Sequence, residues 1–262
     1  MKKYIITGTN GFIGSRLKQR LEQDDYTVWS IEKDDWPINN RDLDHNVLKC
    51  DGIFHVGAIA DTTLQDPNEM LIYNYTYSKK IFDLAKKYNK KVVYSSSAAV
   101  YGTDGVPTNI YGWSKLLAEQ YGDRTCRDRF VALRYFNVYG PGEEHKGKMA
   151  SIAYQAWKKG DFKLFPGEPK RDFVYIDDII DANIHAMDNW VCGIFEVGSG
   201  KAETFENLVD GMGIKYKYHT KDKIPGWYQF FTQANKNKFM PSWLPKYSIL
   251  EGTKKYKKYL NG

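Results

Sequence analysis

Apolar residues along this chain fall into short continuous runs that alternate with stretches of helical spacing. Tyr4-Ile5-Ile6-Thr7 is one such run; it stops at Gly8, and a helical pattern follows from about Phe12 to Leu21. Val28–Ile31, Ile53–Val56, Val92–Tyr94 and Phe130–Leu133 repeat the short run. Glu69–Tyr88 and Trp113–Tyr121 repeat the helical pattern, with Ile72, Ile81, Leu84 and Ala85 marking the buried stripe of the first. Strands that are apolar without alternation are those covered on both faces. Strands and helices in turn over roughly 130 residues therefore predict an α/β fold with a doubly wound parallel sheet.

The pattern loosens after about residue 140, where Pro141-Gly142, Pro166-Gly167 and Pro169 punctuate it. Shorter pieces follow: a helix near 149–158, a strand at 172–175, a helix at 178–187 with Asp177 or Asp178 placed to cap it, and a strand at 194–197. The expected organisation is a dinucleotide-binding domain over residues 1–140, with returning segments near 172–200. A small substrate-binding lobe over 141–262 is expected to lie over the sheet and close a cleft. The segment from Glu32 to Cys50 is short and polar, so one strand of the usual sheet is expected to be abbreviated.

Composition excludes several classes. With 20 Tyr, 13 Phe and 7 Trp among 262 residues the chain has ample surface to bury, so disorder is excluded. No apolar run approaches the roughly 20 residues of a membrane-spanning helix. The apolar stretch after Lys2-Lys3 ends at Ile6, too early for a secretion signal, and the odd count of three cysteines argues against a disulfide framework. A cytoplasmic protein without a structural metal is expected. The net charge of +6 lies partly in Lys86-Lys87, Lys90-Lys91 and Lys254–Lys258, which interleaved acids make a solvated face rather than a nucleic-acid surface. A basic surface suits a substrate that carries phosphates.

The chemistry begins at Gly8-Thr-Asn-Gly11-Phe12-Ile13-Gly14, between the first expected strand and the first expected helix. Glycines permit a tight turn and close backbone approach, and a helix N-terminus presents unpaired N–H groups to an anion. A dinucleotide pyrophosphate at Gly11–Ile13 is the expected occupant. Glu32 ends the second strand, 18 residues beyond Gly14, where an acid accepts hydrogen bonds from ribose hydroxyls and repels a 2′-phosphate. The cofactor is therefore NAD or NADP, with NAD favoured; Lys33 follows directly and opposes that preference.

Tyr111 and Lys115 lie four apart on an expected helix and so share a face. A phenol with a pKa near 10 is a poor base at neutral pH, and a neighbouring ammonium stabilises its ionised form. Ser95-Ser96-Ser97 ends the strand just upstream, and Ser97 is placed to share hydrogen bonding to a reacting hydroxyl with Tyr111. Together with the glycine loop these residues resemble the extended short-chain dehydrogenase/reductases, in particular the nucleotide-sugar epimerase group. The Gly-x-x-Gly-x-x-Gly spacing is typical of that family. Phe54-His-Val-Gly57-Ala58 resembles its fourth-strand cofactor contact, Asn74 matches a helix asparagine facing the cofactor, and Val138 is placed with them. Arg171-Asp-Phe-Val-Tyr175-Ile-Asp-Asp178 is similar to the arginine motif of the substrate lobe.

One branch, the ADP-glycero-manno-heptose 6-epimerases, is similar over longer strings. They include Tyr135-Phe-Asn137-Val-Tyr-Gly-Pro, Glu144-His145-Lys146-Gly147, Gly198-Ser-Gly-Lys-Ala-Glu203 and Gly226-Trp-Tyr228-Gln-Phe-Phe-Thr-Gln-Ala234. The resemblance implies an enzyme that, with a tightly held nicotinamide cofactor, oxidises and re-reduces the sixth carbon of an ADP-heptose. Tyr111 and Lys146 would be its two acid/base groups, and Asn137, Phe165, Gly167, Arg171 and Tyr228 its substrate contacts. Lys148 and Gln155 stand where that branch has Ser and His, and the Phe165–Pro169 loop is shorter than usual. Arg134, Asp172 and His145 are expected to be structural or loop residues. Dehydratases of the family carry an acidic pair after the motif serine; Ser97-Ala-Ala lacks it. A non-catalytic dinucleotide-binding protein is a further alternative, against which Tyr111 and Lys115 both count. Family analogy further implies a homo-oligomer paired through the helices near 69–88 and 112–122, with neither nucleic acid nor membrane as a partner.

Overall fold

The computed structural model describes residues 1–35, 41–61, 66–146, 151–160, 162–189, 191–224 and 228–262. In chain order the regular elements are β1 (Lys3–Thr7), α1 (Phe12–Gln23), β2 (Thr27–Ile31), α2 (Arg41–Lys49), β3 (Gly52–His55), α3 (Pro67–Leu71), α4 (Tyr77–Lys87), β4 (Lys91–Ser97), α5 (Ile110–Cys126) and β5 (Phe130–Tyr135). Then follow β6 (Asn137–Tyr139), α6 (Ile152–Lys159), β7 (Phe162–Leu164), β8 (Lys170–Tyr175), α7 (Ile176–Asp188), β9 (Gly193–Val197), β10 (Ala202–Thr204), α8 (Phe205–Gly211), β11 (Tyr216–Tyr218) and α9 (Ile249–Asn261). They form two compact units: Met1–Tyr135 with Ile180–Phe195, and Phe136–Ile179 with Glu196–Gly262.

The first unit is built on a six-stranded sheet of order β2-β1-β3-β4-β5-β9. The pairings from β2 through β5 are all parallel, as the unbroken apolar runs require. Tyr4, Ile5, Ile6 and Thr7 of β1 are all buried, and so is every residue of β3. Helices bury one stripe each: Phe12, Leu17 and Leu21 on α1, and Ile81, Phe82 and Ala85 on α4. Phe82 is the hub of the latter core, edge-on to Phe130 at 5.2 Å and to Tyr94 at 5.5 Å. Full burial of one such ring is worth roughly 1.5–3 kcal/mol. After β2 the sheet order reverses, so β1 and β3 are neighbours although β2 separates them in sequence. That reversal is a topological switch point, where α/β sheets bind ligands at the carboxyl ends of their strands. Between β2 and β3 the described residues form a single 3₁₀ turn, Lys33–Asp35, and α2, with no strand among them.

The helix expected over 69–88 is interrupted. A turn of π-helix, Ile72–Thr76, separates α3 from α4, and the Tyr77 N–H returns to the Ile72 carbonyl. The Ser78 hydroxyl donates to the Asn74 carbonyl within it at 2.7 Å.

The second unit holds a three-stranded sheet of order β10-β8-β6 and a parallel β11·β7 pair. Asp172 on β8 is its main staple. Its buried carboxylate accepts from the Ser199 N–H and hydroxyl, the Gly200 N–H and the Ala234 N–H at 2.6–3.0 Å. Asp178 at the start of α7 accepts from the backbone N–H groups of Lys246 and Tyr247. The α9 helix begins with a capping box, Ser248 and Glu251 each bonding the other's backbone N–H, and buries Tyr256. Among the described residues no helix is long and apolar enough to cross a membrane.

Candidate active site

The glycine loop follows β1 directly. Gly8 has a left-handed backbone (φ +73°), and a Cβ there would lie 2.6 Å from the Cα of Gly57, which follows β3. The two strand-end loops at the switch point can meet only because neither carries a side chain. A Cβ on Gly14 would fall 2.0 Å from the Gly8 carbonyl oxygen, so α1 starts hard against the loop. Gly11 is the N-cap residue of α1, and no side chain caps it. Phe12, Ile13 and Gly14 form the first turn, whose N–H groups an anion stabilises. The cradle fits a dinucleotide pyrophosphate.

Glu32 closes this loop. Its Oε1 accepts from the Thr9 hydroxyl at 2.5 Å and from the Asn10 N–H at 3.1 Å. A carboxylate offers about four lone-pair positions, so acceptor capacity for ribose hydroxyls remains. Lys33 is held elsewhere, paired with Glu69 at 2.9 Å and lying over the Tyr73 ring at 4.2 Å. Gly57 donates its N–H to the Thr7 hydroxyl, and Ala58 beside it is exposed. Asn74, in the π-turn, is buried and spends its amide on the chain. It bonds the Ile59 N–H and carbonyl at 2.8 and 2.9 Å and the Ser114 hydroxyl at 3.0 Å. It thereby fixes the loop after β3. His55, buried at the end of β3, joins the Thr7 hydroxyl to the Ser78 hydroxyl at 2.8 Å each, and burial pushes its pKa down to about 3.

Tyr111 occupies the first turn of α5, which Asn109 caps by accepting the Gly112 N–H. Ser97 ends β4 and its hydroxyl accepts the Ala99 N–H at 3.1 Å; its proximity favours the ionised Tyr111 phenol, but burial outweighs this and holds the phenol above its ordinary pKa. Lys115, one turn on, is buried at 3% exposure, donates to the Ser95 carbonyl at 2.7 Å and lies 6.0 Å from the Tyr111 ring centre. Burial pushes its pKa down to about 7. The sequence predicts an ammonium that lowers the phenol's pKa; in the structure the same burial that surrounds the phenol also weakens that ammonium. Arg134 and Glu119 form a buried ion pair next to this strand, with Glu119 also accepting from Ser96.

In the second unit Val138 is buried in β6, and its carbonyl accepts the Lys146 ammonium at 2.9 Å. Lys146 is half-buried, with its pKa lowered by burial and raised back by Glu143. His145 is exposed, as expected of a loop histidine. Phe165, Gly167, Arg171 and Tyr228 come together. Arg171 lies over the Tyr228 ring at 5.2 Å and donates to the Lys170 and Gln229 carbonyls, and Tyr228 is edge-on to Phe165 at 5.2 Å. A Cβ on Gly167 would lie 3.2 Å from the Phe230 ring, and Phe230 packs on Tyr228 in turn. Sequence reading misses Phe230, although the matching string contains it, and His219, which packs on Phe165 at 5.5 Å and has no local signal. Asn137 is the exposed first residue of β6, opposite Phe173 of β8, and Gln155 is half-buried on α6. Lys148, together with Gly147 and Gly226 of the matching strings, lies outside the described residues.

Residues 4–198 match the model of the NAD dependent epimerase/dehydratase family. The chain belongs to that family. Among solved structures it is similar to the ADP-L-glycero-D-manno-heptose-6-epimerase of Helicobacter pylori, at 29% identity and a TM-score of 0.86, covering 100% of this chain and 96% of that one. A UDP-N-acetylglucosamine 4-epimerase from Methanobrevibacter ruminantium, solved with UDP-N-acetylmuramic acid, is as similar in shape. It gives 27% identity and a TM-score of 0.86 over 99% and 98% of the two chains. The UDP-glucose 4-epimerase of Thermotoga maritima shares the fold at 24% identity and a TM-score of 0.81, over 99% and 98%. The Rossmann-like architecture read from the sequence is thus that of this epimerase family, and NAD is the cofactor named for it.

Proposed function

We propose that this protein is a nucleotide-diphosphate-sugar epimerase that inverts the sixth carbon of an ADP-heptose. The observation that carries the reading is the grouping at the end of β4: the Tyr111 phenol near Ser97, with Lys115 one helical turn away and buried on the Ser95 carbonyl. NAD, when bound, supplies a reversible acceptor for one hydride. Gly8, Gly11, Phe12, Ile13 and Gly14 hold its pyrophosphate, and Glu32 takes its ribose hydroxyls and disfavours a 2′-phosphate.

Tyr111 moves the proton of the sugar hydroxyl, and Ser97 orients that hydroxyl by sharing hydrogen bonds with it and with the phenol. Lys115 donates to whichever oxygen carries negative charge. Inversion requires a second proton acceptor, because one fixed base serves one orientation of the hydroxyl. Lys146, anchored on the Val138 carbonyl, is that group. Arg171 offers the forked donors that suit a diphosphate, and the Phe165 and Tyr228 rings offer apolar faces to the rest of the nucleotide.

The heptose assignment is supported by the long matching strings around Asn137, Lys146 and Tyr228 and by the 29% identity across the whole chain. A UDP-sugar epimerase is the second reading, favoured by the equal TM-score of 0.86 for the archaeal enzyme. The test is to identify the nucleotide released from purified protein by heat, then to assay a panel of ADP-, GDP-, UDP- and dTDP-sugars for epimerisation. Turnover of ADP-heptose above all others supports the proposal, and turnover of a UDP-sugar alone replaces it.

A further inference from the structure

The segment that follows β2 crowds charge beside the cofactor loop. Glu32, Lys33, Asp34 and Asp35 are consecutive, so Lys33 is the one cation of that segment. Glu32 meets the loop itself, through the Thr9 hydroxyl and the Asn10 N–H. Asp35 folds the segment back, its carboxylate accepting the Glu32 N–H at 2.8 Å across the 3₁₀ turn Lys33–Asp35. A cation beside a ribose-binding position suits a 2′-phosphate, and a lysine one residue beyond Glu32, on a flexible four-carbon stem, is placed to serve as one. Here that lysine is engaged twice by the stretch that follows β3. Its ammonium lies 2.9 Å from the Glu69 carboxylate on α3 and 4.2 Å from the centre of the Tyr73 ring in the π-turn. Glu69 and Tyr73 are four residues apart along one helical stretch, so the carboxylate and the ring take the ammonium together.

We propose that Glu69 is a specificity-determining residue for the cofactor: by holding Lys33 it withholds the cation that a 2′-phosphate needs, and so completes the choice of NAD over NADP that Glu32 begins. The proposal rests on Glu32 being the ribose acceptor. Glu32 alone does not secure that choice. Its carboxylate repels a 2′-phosphate, but an unengaged Lys33 beside it would cancel much of the repulsion. A phosphate and the Glu69 carboxylate compete for one ammonium. NADP therefore gains Lys33 only in the fraction of molecules where the lysine has left Glu69, and its apparent affinity falls with that fraction. An exposed ion pair of this kind favours the engaged arrangement by about two- to fivefold, and the ring contact adds a similar factor. NAD carries hydroxyls in place of the phosphate, makes no demand on the ammonium and is indifferent to where Lys33 lies.

The test is calorimetric titration of cofactor-free protein with NADP and with NAD at low salt, where a surface charge is least screened. Glu69→Gln keeps the shape of the side chain and removes its charge. It should tighten NADP about three- to fivefold and leave NAD unchanged. In a Lys33→Met background the same Glu69→Gln change should leave NADP unmoved, because there is no ammonium to release. Lys33 and Glu69 side chains are 51% and 40% exposed, so neither substitution opens the core, and melting temperatures show that the fold persists. Unchanged NADP affinity in Glu69→Gln overturns the proposal. So does a gain that persists in the Lys33→Met background, which would make the effect one of the Glu69 charge on the phosphate and not of the lysine. Equal weakening of NAD and NADP by Glu32→Ala would remove the ribose reading and the proposal with it, whereas the first two outcomes leave that reading standing.

Discussion

Replacing Lys115 with methionine keeps the length of the side chain and removes a buried charge whose cost depends on pH. The ammonium pKa falls from 10.5 to about 7 in the folded protein. The folded value is depressed, so between those two pH values the unfolded chain binds more protons and stability rises with pH. A tenfold loss of proton affinity on folding corresponds to about 1.4 kcal/mol. Charging Lys115 therefore costs the fold about 4 kcal/mol at pH 7 and about 2 kcal/mol at pH 9. Lys115→Met also loses the 2.7 Å bond to the Ser95 carbonyl. That loss is worth on the order of 1–3 kcal/mol and does not vary with pH once the carbonyl is bare. The difference in stability between wild type and variant, from urea unfolding of cofactor-free protein at pH 6, 7, 8 and 9, isolates the titration. It should move by about 2 kcal/mol in favour of wild type between pH 7 and 9. A difference that stays constant to within about 0.5 kcal/mol over that range would refute the claim that Lys115 is buried without a compensating charge.

Two further outcomes follow from the cofactor loop. Gly14→Ala places a methyl 2.0 Å from the Gly8 carbonyl, so it should destabilise the protein by about 1–3 kcal/mol and abolish NAD binding in a calorimetric titration; unchanged affinity would mean that the pyrophosphate is not held there. Glu32→Ala removes both the ribose acceptor and the Thr9 and Asn10 contacts. It should weaken NAD more than NADP in fluorescence titrations, and an equal loss for both would leave Glu32 as a loop staple alone.

How much of this is legible in the sequence depends on local pattern. The run Tyr4–Thr7, the glycines at 8, 11 and 14 and the stripe of α1 lie within about twenty residues, so periodicity and turn chemistry place them correctly. Tyr111 and Lys115 are legible as a pair because four residues is one helical turn, although α5 starts earlier, at Ile110, than the apolar stripe suggests. Strands β6, β7, β10 and β11 are three residues each, too short to carry a period. The α8 helix escapes the pattern as well, and α9 reads only as a run of lysines although Ser248-x-x-Glu251 announces its start. The π-turn is invisible because the apolar spacing of 69–88 continues through it without a break. The depressed ammonium of Lys115 is a property of burial, which distant segments create and neighbouring residues do not encode.

The central claim is that two groups, Tyr111 and Lys146, exchange protons with the substrate. Its most direct test is epimerisation of ADP-heptose by wild type, Tyr111→Phe and Lys146→Met, with NAD present and the two epimers resolved by proton NMR. Loss of an acid/base group typically costs about 10²–10⁴ in rate, so each variant should be slowed at least a hundredfold while still folding and still binding NAD. Epimerisation by Lys146→Met at the wild-type rate would contradict the account and leave a one-base enzyme, a reductase acting on a single face.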